Sequence, residues 1–292
     1  MGEHLSDDIS SSMNMTAINQ NTPGQGPSVA YNRPQADNNQ TTVTLVPQSP
    51  VHLPVDRLFS IRGRTAICTG VTGGIGIELC AALAEAGVDI VSIQLPDDPV
   101  GPHLHRIVTE FGRSFKSFEC DIADSKSLRA CFASIWAAGV QPSILLNAAG
   151  INKRGAMEDL TDDDIDKVFA INLKASFVTC QEFAKRLSEQ RRPGKIVNIG
   201  SMTSFIGMYN VSAYASSKGG ILQMTKAFSN ELAPRGIQVN CICPGDFVMS
   251  RTPAMRWGEP KDLRGALIFL ASPASDFITG VPIIVDGGML GK

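Results

Sequence analysis

Histidine is scarce, with 4 in 292 residues. His4 and His52 lie in the N-terminal region, and His103 and His105 in a segment that reads as a loop entering a helix. None has a partner at ligand spacing, which argues against a histidine triad or a metal centre. Cysteine gives no framework either. The seven residues, Cys68, Cys80, Cys120, Cys131, Cys180, Cys241 and Cys243, are odd in number and contain no Cys-x-x-Cys. They read as small buried hydrophobes of a reducing compartment, so a cytoplasmic location is expected. Aromatic residues are few, at 6%. No apolar run approaches the ~20 residues of a membrane span. Charge is low as well, 18% of residues with a net charge of -2. That leaves no basic surface for nucleic acid or an anionic membrane. The cluster Arg186, Arg191, Arg192 and Lys195 reads as a helix C-terminus with favourable dipole placement.

Glycine and aliphatic residues are plentiful, with 27 glycines and 43% hydrophobic residues. Residues 1–55 stand apart, rich in Ser, Asn, Gln, Thr and Pro and without apolar periodicity. They cannot bury enough surface to offset their ordering entropy and are expected to be a disordered extension. Glu3, Asp7 and Asp8 argue against a mitochondrial presequence, which avoids acids. Residues 56–292 read as one domain in which short β-branched runs alternate with amphipathic stretches. Strands are expected at 65–69, 90–93, 117–120, 144–147, 196–199, 239–242 and 282–285. Helices are expected at 75–86, 104–111, 128–138, 162–189, 213–232 and 261–270. With right-handed crossovers this alternation builds an α/β, doubly wound parallel sheet of Rossmann-like form.

The first strand runs into Thr69-Gly70-Val71-Thr72-Gly73-Gly74-Ile75-Gly76. Glycines allow a sharp turn and a close backbone approach, and the helix that follows offers unpaired N–H groups to a pyrophosphate. Gly70, Thr72, Gly74, Ile75 and Gly76 are therefore candidates for a dinucleotide cradle. The residue ending the second strand selects the cofactor, an acid favouring NAD and a base NADP. That residue is Gln94, which is neutral. Thr72 and Gly73 supply no base, while Asp97 and Asp98 would repel a phosphate. NAD is the expected cofactor, with NADP the alternative.

Tyr214 and Lys218 stand at i and i+4 of a helix and point the same way. Hydride removal from an alcohol leaves a proton to be taken up. A phenol of pKa ~10 is a poor base for it unless a nearby ammonium stabilises the phenolate. Ser201 can donate a hydrogen bond to a carbonyl oxygen as charge develops there. It is no hydrolase nucleophile, since Gly200-Ser201-Met202 lacks the Gly-x-Ser-x-Gly elbow. Asn172 lies in the long helix before it.

From about residue 58 onward the sequence resembles a short-chain dehydrogenase/reductase. The matching motifs are Thr69-Gly70-x3-Gly74-x-Gly76, Asp121-Ile122, Asn147-Ala148-Ala149-Gly150, Asn172, Ser201, Tyr214-x3-Lys218 and Pro244-Gly245. The resemblance implies that Tyr214 is the general acid/base and that Lys218 lowers its pKa and binds the nicotinamide ribose. It implies that Ser201 polarises the substrate carbonyl and that Asn172 holds a relay water. Asp121 and Ile122 would border the adenine, and Asn147, Ala148 and Gly150 would floor the cleft. Pro244 and Gly245 would lie near the nicotinamide. The segments 199–205, 256–260 and 269–276 are most similar to 2-deoxy-D-gluconate 3-dehydrogenases and gluconate 5-dehydrogenases. A sugar acid or related hydroxy compound is thus the expected small-molecule substrate. The alternatives are an NADPH-linked 3-oxoacyl or specialised-metabolism ketoreductase, and a non-catalytic cofactor-binding relative. Family members pair through their long helices and their last helix and strand, so a homodimer or homotetramer is expected.

Two departures stand out. Met249 occupies the place of a family threonine. Between Ser250 and Arg251, roughly 15–20 residues of a substrate lid have no counterpart.

Overall fold

The computed structural model describes residues 53–98, 100–245 and 252–291. All but the last three residues of the expected N-terminal extension lie outside them, as do Met249 and the Ser250–Arg251 junction. Val55–Leu58 forms one helical turn, α1. Seven parallel strands follow: β1 Thr65–Thr69, β2 Asp89–Gln94, β3 Phe115–Glu119, β4 Ile144–Asn147, β5 Gly194–Ile199, β6 Ile237–Pro244 and β7 Pro282–Val285. Their order across the sheet is β3-β2-β1-β4-β5-β6-β7. The connecting helices are α2 Gly74–Glu85, α3 Gly101–Glu110, α4 Ser125–Ala137, α5 Asp162–Phe169, α6 Ala175–Glu189, α7 Ser212–Leu232 and α8 Arg264–Ala271. This is the doubly wound, Rossmann-like sheet the alternation predicts.

Both faces of the sheet are covered, so alternate strand residues enter different cores. Ile67, Leu145, Ile196 and Val239 pack on one side with Phe132 of α4 and Phe183 of α6. Ala66, Leu146, Val197 and Ile242 pack on the other with Leu79 and Leu83 of α2 and Leu267 of α8. A fully buried Leu or Phe side chain contributes about 1.5–3 kcal/mol, and these two layers supply the driving force. All seven cysteines are buried, unbridged thiols. Among the described residues no helix is long and apolar enough to cross a membrane.

Most elements differ from their expected bounds by one to three residues, and three differences have a local cause. β3 begins at Phe115, two residues early, because as the edge strand it is half exposed and its apolar pattern is weak. α3 begins at Gly101, where Pro102 suits the first helical turn. The long helix expected at 162–189 is interrupted by a π turn, Ala170–Lys174.

Candidate active site

The strand order reverses between β1 and β4, and a crevice opens there at the carboxyl ends. A cleft of about 850 Å³ runs from Gln94 and Asp121 past Gly70 and Gly74 to Ser201, Tyr214 and Lys218. Its floor depends on two close backbone crossings. Gly70 has φ +68° and lies against Ala149 with no room for a Cβ. A Cβ on Gly76 would overlap the Gly70 carbonyl oxygen. Gly74, by contrast, faces open space. The N-terminus of α2 has neither a side-chain cap nor an acid in its first turn. Its unpaired N–H groups and positive dipole end face the cleft wall formed by Gly73, Gly74 and Ile75. These features suit an anionic pyrophosphate, and the cleft volume suits a ligand of dinucleotide size.

At the other end α7 brings Tyr214 and Lys218 together, with the Lys218 Nζ 5.7 Å from the phenol ring centre. Lys218 is 4% exposed and donates to the Ile199 carbonyl at 2.7 Å. Burial pulls its pKa down to about 8, against a smaller upward pull from Cys241 and Cys243. Burial also raises the Tyr214 pKa, which the Ser201 hydroxyl partly offsets. The lowering expected from Lys218 does not dominate here, since its ammonium is turned to the Ile199 carbonyl. Ser201 caps the short helix Met202–Ser204 and accepts from the Thr203 N–H at 3.1 Å. Ser204 accepts from the Ser201 N–H at 3.2 Å and donates to the Lys218 carbonyl at 2.7 Å. The serine loop is thereby tied to the helix that carries Tyr214.

The structure places Thr72, Ile75, Ile122, Ala148, Gly150 and Pro244 along the same cleft. Gly245 lines an adjoining cavity of about 380 Å³ instead. Asn147 and Asn172 lie beneath the surface. The Asn172 Oδ1 accepts from the Ile151 N–H at 2.8 Å, and its Nδ2 donates to the Ile151 carbonyl at 2.9 Å and to Ser217 Oγ at 3.0 Å. Both amide hydrogens are thus engaged, and none is left for a relay water. The π turn sets this geometry by placing Asn172 over the loop after β4. Asn147 donates to Asn198 Oδ1 at 2.9 Å and accepts from Thr179 Oγ1 at 2.7 Å, while Asn198 donates to Thr225 Oγ1 at 3.0 Å. Sequence reasoning missed this buried ladder. It also missed Arg154, which lines the cleft and has no hydrogen bond or ion pair among the described residues. Its neighbour Lys153 is paired with Asp164 at 3.0 Å.

The sequence pattern of the family described as short chain dehydrogenase matches residues 64–257. The chain belongs to the short-chain dehydrogenase family. It is 36% identical to a 2-dehydro-3-deoxy-D-gluconate 5-dehydrogenase of Pseudoalteromonas atlantica, over 80% of this chain and 98% of that one. It is 32% identical to a 5-keto-D-gluconate 5-reductase of Escherichia coli over 80% of this chain and 98% of the relative. Among solved structures, a gluconate 5-dehydrogenase from Burkholderia cenocepacia in complex with NADP and tartrate is 34% identical, with a TM-score of 0.76 over 80% of this chain and 98% of that chain. The Pseudoalteromonas alignment spans 251 positions but takes in 80% of these 292 residues, about 234, so roughly 17 positions have no counterpart in this dehydrogenase. That deficit matches the length of the lid expected to be absent.

Proposed function

We propose that the protein interconverts a secondary alcohol and a ketone on a sugar acid or related polar hydroxy acid. The observation that carries this reading is one cleft holding Ser201, Tyr214 and Lys218 together with Arg154, a cation without an ion-pair partner among the described residues. Gly74, Ile75 and the N-terminus of α2 would hold the pyrophosphate of a nicotinamide dinucleotide, and Lys218 its nicotinamide ribose. A bound nicotinamide supplies or accepts the hydride. The Ser201 hydroxyl accepts from a backbone N–H, which leaves its own hydrogen to donate to the substrate oxygen. Tyr214, raised by burial, is protonated at neutral pH and is set to give its proton to the oxygen formed on ketone reduction. The Lys218 ammonium steadies the phenolate left behind. Asn172 acts by position, fixing the Gly150–Ile151 floor to Ser217, whose hydroxyl donates to the Tyr214 carbonyl at 2.7 Å. Arg154 would pair with the substrate carboxylate. The names of the relatives support this substrate class.

The buried free thiols support a reducing, cytoplasmic setting. Phe177 on α6, 44% exposed and edge-on to Phe228 of α7, supports pairing of two copies through these helices. The shortfall against the relatives favours a second reading, a dinucleotide-binding protein without turnover.

Tyr214→Phe separates the two readings. Nicotinamide absorbance is followed with sugar acids and small ketones, and dinucleotide binding is titrated in parallel. Turnover in the wild type that vanishes in the variant, with binding retained, supports the dehydrogenase. Binding without turnover in the wild type supports the second reading, and undiminished turnover in the variant refutes the role of Tyr214.

A further inference from the structure

Four buried side-chain polar atoms among the described residues have no hydrogen-bond partner. Trp136 Nε1, Arg186 Nε and Ser188 Oγ belong to α4 and α6, away from the cleft. The fourth, Thr203 Oγ1, belongs to the short helix that Ser201 caps. Of the four residues, Thr203 alone lines the cleft. It is 8% exposed, and Met202 and Val211 beside it in the wall are apolar and buried. A hydroxyl in such a place has given up water and gained nothing, a standing loss of stability that calls for a cause. In a largely apolar wall, the few polar groups are the ones that orient a ligand.

The backbone ties this hydroxyl to the reacting end of the cleft. The Thr203 N–H donates to Ser201 Oγ at 3.1 Å. A threonine Oγ1 lies within about 4 Å of its own nitrogen in every rotamer, so the two hydroxyls stand within about 7 Å of each other. Oxygens on neighbouring carbons of a polyol are about 3 Å apart, and each can make a hydrogen bond of about 2.8 Å, so such a pair bridges about 4 to 7 Å. An isolated carbonyl bound at Ser201 leaves Thr203 without a partner.

We propose that Thr203 is a specificity-determining residue that holds the hydroxyl on the carbon next to the reacting one. The protein then takes α-hydroxy ketones and vicinal diols in preference to isolated ketones and alcohols. Ser201 and Tyr214 hold the reacting oxygen, and Thr203 holds its neighbour. A turn to another staggered χ1 well brings the Thr203 hydroxyl to the cleft and leaves the backbone in place. The free protein carries a hydroxyl that the bound substrate satisfies, a local sacrifice of stability to function. The inference rests on the reading of the cleft as a site of alcohol and ketone interconversion, and it narrows the substrate independently of the carboxylate contact of Arg154.

Two measurements test it on the full chain, with Thr203→Val, which removes the hydroxyl at nearly constant shape, and Thr203→Ser, which keeps it. The first is thermal unfolding without ligand. Because the hydroxyl has no partner to lose, Thr203→Val is expected to have a Tm at or above that of wild type. The second is kcat/KM with 5-keto-D-gluconate and its 4-deoxy and 6-deoxy forms, which remove the hydroxyl on either side of the reacting carbon. Wild type is expected to lose at least about tenfold with one deoxy form, Thr203→Val to fall to within about threefold between that form and the parent compound, and Thr203→Ser to keep the preference. A Tm lower by about 2 °C or more in Thr203→Val shows that the hydroxyl serves the fold and overturns the proposal. So does wild type that reduces all three compounds alike, or a preference that persists in Thr203→Val. Wild type that reduces none of the three counts against the functional reading itself, whereas the unfolding comparison still reads on Thr203 alone.

Discussion

Replacing Asn172 by alanine separates a structural clamp from a proton relay. The carboxamide serves the Ile151 N–H, the Ile151 carbonyl and Ser217 Oγ, all at 2.8 to 3.0 Å. Ser217 keeps its own bond to the Tyr214 carbonyl, so it loses only an incoming donor. The two Ile151 backbone groups lose these partners at a half-buried position next to a fully buried one. Each group left unsatisfied costs ~1–3 kcal/mol, which makes a total of about 4 kcal/mol. A domain of this size has ~5–15 kcal/mol of stability and loses ~2–4 °C per kcal/mol, so Tm should fall by about 8–15 °C. The assay is thermal unfolding by circular dichroism without added cofactor. A Tm within about 2 °C of wild type, together with lost turnover, would refute the clamp and point to a direct part in proton transfer.

Three further outcomes are expected. Gly76→Ala forces its Cβ onto the Gly70 carbonyl and to 2.7 Å from Val71 Cα, so the phosphate turn must shift. Dinucleotide affinity measured by titration should fall at least about tenfold, in line with an overpacking cost of ~1–3 kcal/mol. Lys218 is held near pKa 8 by burial, against an ordinary 10.5. Between these pH values the unfolded chain holds a proton that the folded chain has released. Stability should therefore rise with pH across this window by up to about 3 kcal/mol, and Lys218→Met, compared by urea unfolding at pH 8 and pH 10.5, should lack that component. Arg154→Ala should raise KM for a carboxylate substrate about tenfold or more through loss of a charge-assisted pair, yet leave KM for a neutral polyol nearly unchanged.

The parts of this fold that a sequence reveals are those set by local pattern. β1 and β4 are short apolar runs and lie at 65–69 and 144–147 as read. The glycine turn is legible because spacing alone states where backbone must approach backbone. Tyr214 and Lys218 are legible because helical periodicity places them on one face. The π turn at Ala170–Lys174 is not, since one extra residue in a turn leaves the apolar pattern of a long helix almost unchanged. Nor can spacing show that Asn172 is fully engaged, because its partners at Ile151 and Ser217 come from other elements. Arg154 looks like an ordinary surface charge until the fold lines it along the crevice.

Asn147 and Asn198 are direct register partners on β4 and β5, and their amides bond to each other between the sheet and its helices. A slip of one residue would oppose Asn147 to Val197 or Ile199, whose side chains belong to the other core. Two amides would then sit in hydrocarbon without each other. Apolar residues at these sites would tolerate such a slip far better. The pair therefore works as an alignment key: strands that dock out of step are penalised before the helices close over them. The loops that carry Gly150 and Ser201 leave these same two strands. The key thus sets the relative height of the two walls between which the chemistry takes place.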